Sequence, residues 1–172
     1  MLSKGDHVVY GNHGLCEVMD ITVPDFLERG QEKLYYVMEA IVDSKGVLYV
    51  PVEGAESKMR EAVTAETARN LLGSIGEVEL MDIPAGKKAE AVLVGVIRRN
   101  LTEEMMGLIK TLRKLKVTRE RAGKRFAMVD EKYLAIAEKL LYTEVAYSLQ
   151  SDPETVRHQV CSDLERLPLV GA

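Results

Sequence analysis

The chain has 172 residues, 47% of them apolar, and a formal net charge of −4, enough to hold one medium domain or two small ones with cores of their own. Its two cysteines, Cys16 and Cys161, stand near opposite ends without metal-type or redox-type spacing, which argues against a disulfide framework and fits a reducing compartment. The opening MLSKGDHVVYG lacks the apolar region of a secretory signal, and no stretch approaches the roughly 20 apolar residues of a membrane span, so a soluble cytoplasmic protein is expected, with no membrane partner.

The first fifty residues alternate as strands do, at His7 to Tyr10, Leu15 to Thr22, Lys33 to Ala40 and Val47 to Val52. Gly11-Asn12-His13-Gly14 and Asp43-Ser44-Lys45-Gly46 carry residues that tolerate positive φ, so each is expected to close a hairpin. The longer link from Val23 to Gly30 reads as an exposed loop. Four or five short antiparallel strands bury a face by curling, which predicts a small SH3-like or Tudor-like barrel.

Beyond Pro51 the period changes from two to nearly four, and Ala, Leu, Met, Glu and Lys replace the β-branched runs. Helices are expected from an N-cap at Thr64 through Leu72, from Lys87 to Arg99 with Val92, Leu93, Val96 and Ile97 inward, and after an N-cap at Thr102. Residues 74–84 read as irregular. Val117 to Val129 reads as an inter-helix segment around Gly123, with Asp130 capping the next helix. Asp152-Pro153-Glu154 predicts the start of the last one, which ends before Pro168. The fold class is therefore α+β: a β barrel over residues 1–57 and an all-helical domain over 58–172. The apolar fourth helix and the tail from Leu164 to Val170 pack either within the chain or across a dimer.

Charge is not spread evenly. Residues 1–85 carry 7 Lys/Arg against 15 Asp/Glu, residues 86–128 carry 12 against 4, and residues 129–172 carry 4 against 8. The basic block comprises Lys87, Lys88, Arg98, Arg99, Lys110, Arg113, Lys114, Lys116, Arg119, Arg121, Lys124 and Arg125. Too few acids interrupt it for helical ion pairing, so a polyanion is the expected partner, with nucleic acid first. Phe126 is its one aromatic, which favours contact with the phosphate backbone over stacking on single strands.

Catalytic signals are weak. His7, His13 and Cys16 flank the first hairpin with Asp6 and Glu17, but their spacing matches no zinc pattern, and turn and strand positions account for them. Cys161 has no activating base nearby in sequence, and the pairs Glu103-Glu104 and Asp130-Glu131 stand where helix starts favour acids. No glycine loop of phosphate-cradling type follows a strand. No enzyme activity, cofactor, metal or small-molecule substrate is expected.

The run Lys4-Gly5-Asp6-His7-Val8-Val9-Tyr10-Gly11-Asn12-His13-Gly14, then Leu34-Tyr35-Tyr36-Val37 and Leu48-Tyr49-Val50-Pro51-Val52, resembles the CarD/CdnL family of transcription factors, whose amino-terminal module also occurs in transcription-repair coupling factors. The resemblance extends more weakly through the helical part to about Leu149. It implies a polymerase-interacting domain over residues 1 to about 55 that binds a lobe of the RNA polymerase β subunit through a sheet edge. On this chain that edge would present Lys33, Tyr35, Leu48, Tyr49, Val50 and Pro51. It also implies a helical domain that contacts promoter DNA upstream of the bubble and stabilises the open complex. Family members carry a tryptophan at the start of the first DNA-contacting helix, whereas this chain has no Trp, and the position falls near Ala85, before Lys87 and Lys88. A stand-alone DNA-binding protein that never touches polymerase is the alternative expectation.

Overall fold

The computed structural model describes residues 1–43 and 46–168, and the chain divides into two units, Met1–Ala62 and Val63–Ala172. Ser44 and Lys45 of the second expected hairpin turn, and the tail beyond Pro168, lie outside the described residues.

The first unit is one antiparallel sheet of five strands, β1 (His7–Tyr10), β2 (Leu15–Thr22), β3 (Tyr35–Ala40), β4 (Val47–Pro51) and β5 (Met59–Arg60), in the order β4-β3-β2-β1-β5. Alternation sends Val8, Cys16, Val18, Tyr36, Met38 and Val50 into one core, which Ala55 joins from the turn after β4. A bulge between Val18 and Asp20 in β2 shifts the pairing with β3 by one residue and leaves Met19 outside. The first turn is built as its glycines predict: Gly11 and Gly14 take positive φ, and the Tyr10 N–H donates to the Gly14 carbonyl at 2.9 Å.

Two boundaries differ from the sequence reading. Strand β3 begins at Tyr35, leaving Lys33 in the preceding loop. Residues 58–60 do not open the helical domain, because Met59 and Arg60 pair with Tyr10 and Val9 and satisfy the edge of β1. Two residues are too few to show a period.

The second unit has five helices: α1 (Ala65–Gly73), α2 (Lys87–Arg99), α3 (Thr102–Arg121), α4 (Met128–Leu149) and α5 (Pro153–Arg166). The long α4 is buried around much of its circumference, with α1, α2, α3 and α5 all packed against it. Leu93 and Val96 of α2, Leu108 and Leu112 of α3, Leu141 and Val145 of α4, and Val156 and Val160 of α5 share this core. Thr64 caps α1 by accepting from the Thr67 N–H, and Asp152 caps α5 by accepting from the Glu154 and Thr155 N–H groups. Thr102 and Asp130 are not caps: those positions fall to Leu101 and Ala127, and both residues lie inside their helices.

Residues 117–121, read from sequence as the start of a connection, are helical. Basic side chains suit a helix C-terminus, and Gly123 (φ 67°) closes α3 with two capping bonds. The Lys124 N–H donates to the Arg119 carbonyl at 2.8 Å, and the Gly123 N–H to the Glu120 carbonyl at 3.0 Å. Val63, the first residue of this unit, is held on both sides by α4. Its N–H donates to Glu144 Oε1 at 3.1 Å, and its carbonyl accepts from Ser148 Oγ at 2.6 Å.

Candidate functional site

Strand β4 ends the sheet, so one side of its backbone has no partner strand among the described residues. Alternation decides what its side chains offer. Tyr49 is 47% exposed, and Pro51 and Val47 are also exposed, while Val50 is 3% exposed and packs in the core opposite Tyr36. Leu48, opposite Met38, is half-buried against the same core. Of the six residues expected on the docking edge, Tyr35, Tyr49 and Pro51 share the outward face, and Lys33 stands exposed beside it, 3.7 Å from Glu53. Val50 and Leu48 are corrected to core positions, since a period of two cannot place neighbours on one face.

Sequence reading missed Phe26. From the loop between β2 and β3 its ring, 62% exposed, meets Tyr49 edge-on at 5.2 Å between centroids and Tyr35 at 6.0 Å. The buried Pro24 anchors this loop two residues earlier. The signal in the sequence was a lone phenylalanine in a polar loop, one of only two in the chain. Three aromatic rings thus gather beside an open strand edge, a combination able to bind a protein through backbone pairing and apolar anchors together.

The residues once weighed as metal ligands disperse into local roles. Cys16 is buried, its thiol faces the Gly14 carbonyl, and burial pushes its pKa up to about 11, away from thiolate chemistry. The His13 ring stacks on Tyr10, and His7 Nε2 stands 3.9 Å from Glu17. Among the described residues no group of three or more His, Cys, Asp or Glu is placed to hold a metal ion, and no helix is long and apolar enough to cross a membrane.

The twelve cations of the basic block separate into two kinds. Lys110 is 4% exposed and donates from Nζ to the carbonyls of Ile75, Gly76 and Val78 at 2.9, 2.9 and 2.5 Å, tying down the irregular stretch before α2. Desolvation, aided by Lys114, lowers its pKa. Arg113 forms an ion pair with Glu138, whose carboxylate also accepts from the Tyr142 hydroxyl at 3.4 Å. Burial disfavours the Arg113 cation, but Glu138 more than compensates and raises its pKa. Lys110 is corrected from a surface contact to a structural one, and Arg113 is committed largely to Glu138. Their positions on the α3 face turned to the core explain both.

The remaining cations reach the surface in differing states. Arg99 pairs with Glu104 at 2.8 Å, Lys116 stands 3.6 Å from Glu131 and over the Phe126 ring, and Lys114 donates to the Pro168 carbonyl at 3.3 Å. Arg119 is half-buried, with its Nε enclosed and without a hydrogen-bond partner among the described residues. Lys87, Lys88, Arg98, Arg121, Lys124 and Arg125 are exposed, with no carboxylate within 4.0 Å among the described residues. Two of these, Lys87 and Lys88, occupy the first turn of α2, where the helix dipole disfavours cations. Three more, Arg121, Lys124 and Arg125, cluster where α3 turns into α4.

No curated protein matches the chain. Residues 2–63 match the family model described as CarD-like/TRCF RID domain. The match spans the whole five-stranded sheet and stops where the helical unit begins.

Proposed function

The amino-terminal unit of this chain is a CarD-like/TRCF RID domain, the RNA-polymerase-interacting module of that family, and from that premise we propose that the protein is a transcription regulator docked on the polymerase β subunit. The observation that carries the proposal is the coincidence of this domain with a β4 edge that has no partner strand among the described residues and lies beside Phe26, Tyr35 and Tyr49. An open strand supplies backbone hydrogen bonds to a partner strand, and the aromatic rings supply desolvated anchors.

Once the chain is tethered to polymerase, the exposed cations of the helical unit touch the phosphates of promoter DNA upstream of the bubble and modulate open-complex stability. Tethering raises effective concentration, so weak contacts suffice without base readout. Lys87 and Lys88 support this reading, because cations at a helix start oppose the dipole and gain most from an anion placed there. With no tryptophan near Ala85, the contact is one of charge and not of a ring wedged between bases. The role is binding, with no reaction catalysed.

The test is capture of the purified β lobe by the full chain, beside a Tyr49→Glu/Phe26→Ser variant. At least a tenfold loss of affinity with an unchanged melting temperature is expected, since both side chains are exposed. Failure of the wild-type chain to bind the β lobe would overturn the docking reading and leave a stand-alone DNA-binding protein.

A further inference from the structure

A cavity of about 300 Å³ lies in the helical unit between the second half of α3 and the end of α5. Val117 on one side and Leu164 and Leu167 on the other give it apolar walls, while Lys114 and Arg121 stand at its lining with no carboxylate partner among the described residues. Arg113, held by Glu138, Lys116, beside Glu131, and Cys161 also line it, as do Glu120 and Glu165. Cations therefore outnumber acids around a largely apolar space whose volume falls at the low end of small-ligand pockets.

We propose that this cavity binds a small amphipathic anion, its apolar body against Val117, Leu164 and Leu167 and its anionic head, a sulfonate, phosphate or carboxylate, against Lys114 and Arg121. The charge placement selects the class. A neutral apolar molecule would leave Arg121 without an anion and Lys114 with only the neutral Pro168 carbonyl, and a small inorganic anion would leave the apolar walls wet. The proposal does not depend on whether the basic helices contact DNA.

The probe is anilinonaphthalene sulfonate, titrated by fluorescence into the folded full chain at moderate salt. Saturable binding of one probe per chain is expected, displaced by decyl sulfate but not by decanol. Arg121→Glu should weaken it at least tenfold, and Val117→Asp should do the same through the apolar wall. Circular dichroism melts check both variants, and Arg121→Gln replaces the charge reversal if that variant is unfolded. Non-saturating fluorescence, equal displacement by decanol, or unchanged affinity in folded variants would each overturn the site.

Discussion

The two units place their chemistry in different ways. In the sheet unit the outward and inward faces of β3 and β4 alternate strictly, so a residue's neighbour in sequence tells which face it occupies: Tyr49 is out because Val50 is in. In the helical unit the cations look alike in sequence and behave differently. Lys110 holds three carbonyls in the interior, and Lys124, on the turn after the same helix, is exposed with no carboxylate partner among the described residues. A strand thus announces the role of its side chains by parity. A long helix packed on one face hides that role until its packing partners are known.

Substitutions that look equivalent in sequence should separate along this line. The largest effect is expected from Lys110→Met, which leaves the carbonyls of Ile75, Gly76 and Val78 without their donor and should cost roughly 3 kcal/mol of stability or more by urea unfolding. Lys124→Met should fall within about 0.5 kcal/mol of wild type. Equal effects of the two would erase the distinction between buried and surface cations.

Next come two neighbours in β4. Val50→Ala should destabilise the sheet unit by about 2 kcal/mol with little change in polymerase affinity per folded molecule. Tyr49→Ala should do the reverse, lowering capture of the β lobe about tenfold with an unchanged melt. A smaller change is expected from Arg121→Gln/Lys124→Gln/Arg125→Gln. It should flatten the dependence of log DNA affinity on log salt by about one unit for each phosphate contact removed, and an unaltered slope would move the contact away from the α3–α4 turn.

The smallest effect concerns pH. Hydrogen bonds from Thr155 and from the Thr155 and Glu154 N–H groups hold the Asp152 carboxyl below its ordinary range. A depressed carboxyl stabilises the fold above its unfolded pKa and loses that contribution as pH falls through its folded one. The melting gap between wild type and Asp152→Ala should therefore be open at pH 7 and close below about pH 4. A gap that persists in acid would show that the cap acts without its charge.

Much of this architecture was legible beforehand, for local reasons. The strands, the Gly11–Gly14 turn, and the Thr64 and Asp152 caps rest on residues within a few positions of one another. The short β5 was not legible, because its stability comes from β1, some fifty residues earlier in the chain. The end of α3 was misplaced because Val117 and Thr118 are poor helix formers in isolation, whereas Gly123 closes the helix only after Arg121. Of the residues that the family resemblance put on the sheet edge, strand parity places Tyr35, Tyr49 and Pro51 on one face. Phe26 was not readable, since its contacts with Tyr35 and Tyr49 arise from how the loop folds over the sheet. Lys110 was unreadable for a related reason: the carbonyls it binds lie more than thirty residues away on a stretch without periodicity.

The clamp on Val63 bears on how such a chain is assembled from parts. Because Glu144 and Ser148 of α4 hold the N–H and the carbonyl of Val63, that residue belongs to the helical module although it precedes α1. In a recombination that gives these helices another head, the clamp tolerates a change of side chain at position 63, because Glu144 and Ser148 grip main-chain groups; the bond to Glu144 is lost only if residue 63 becomes proline, which has no N–H to donate.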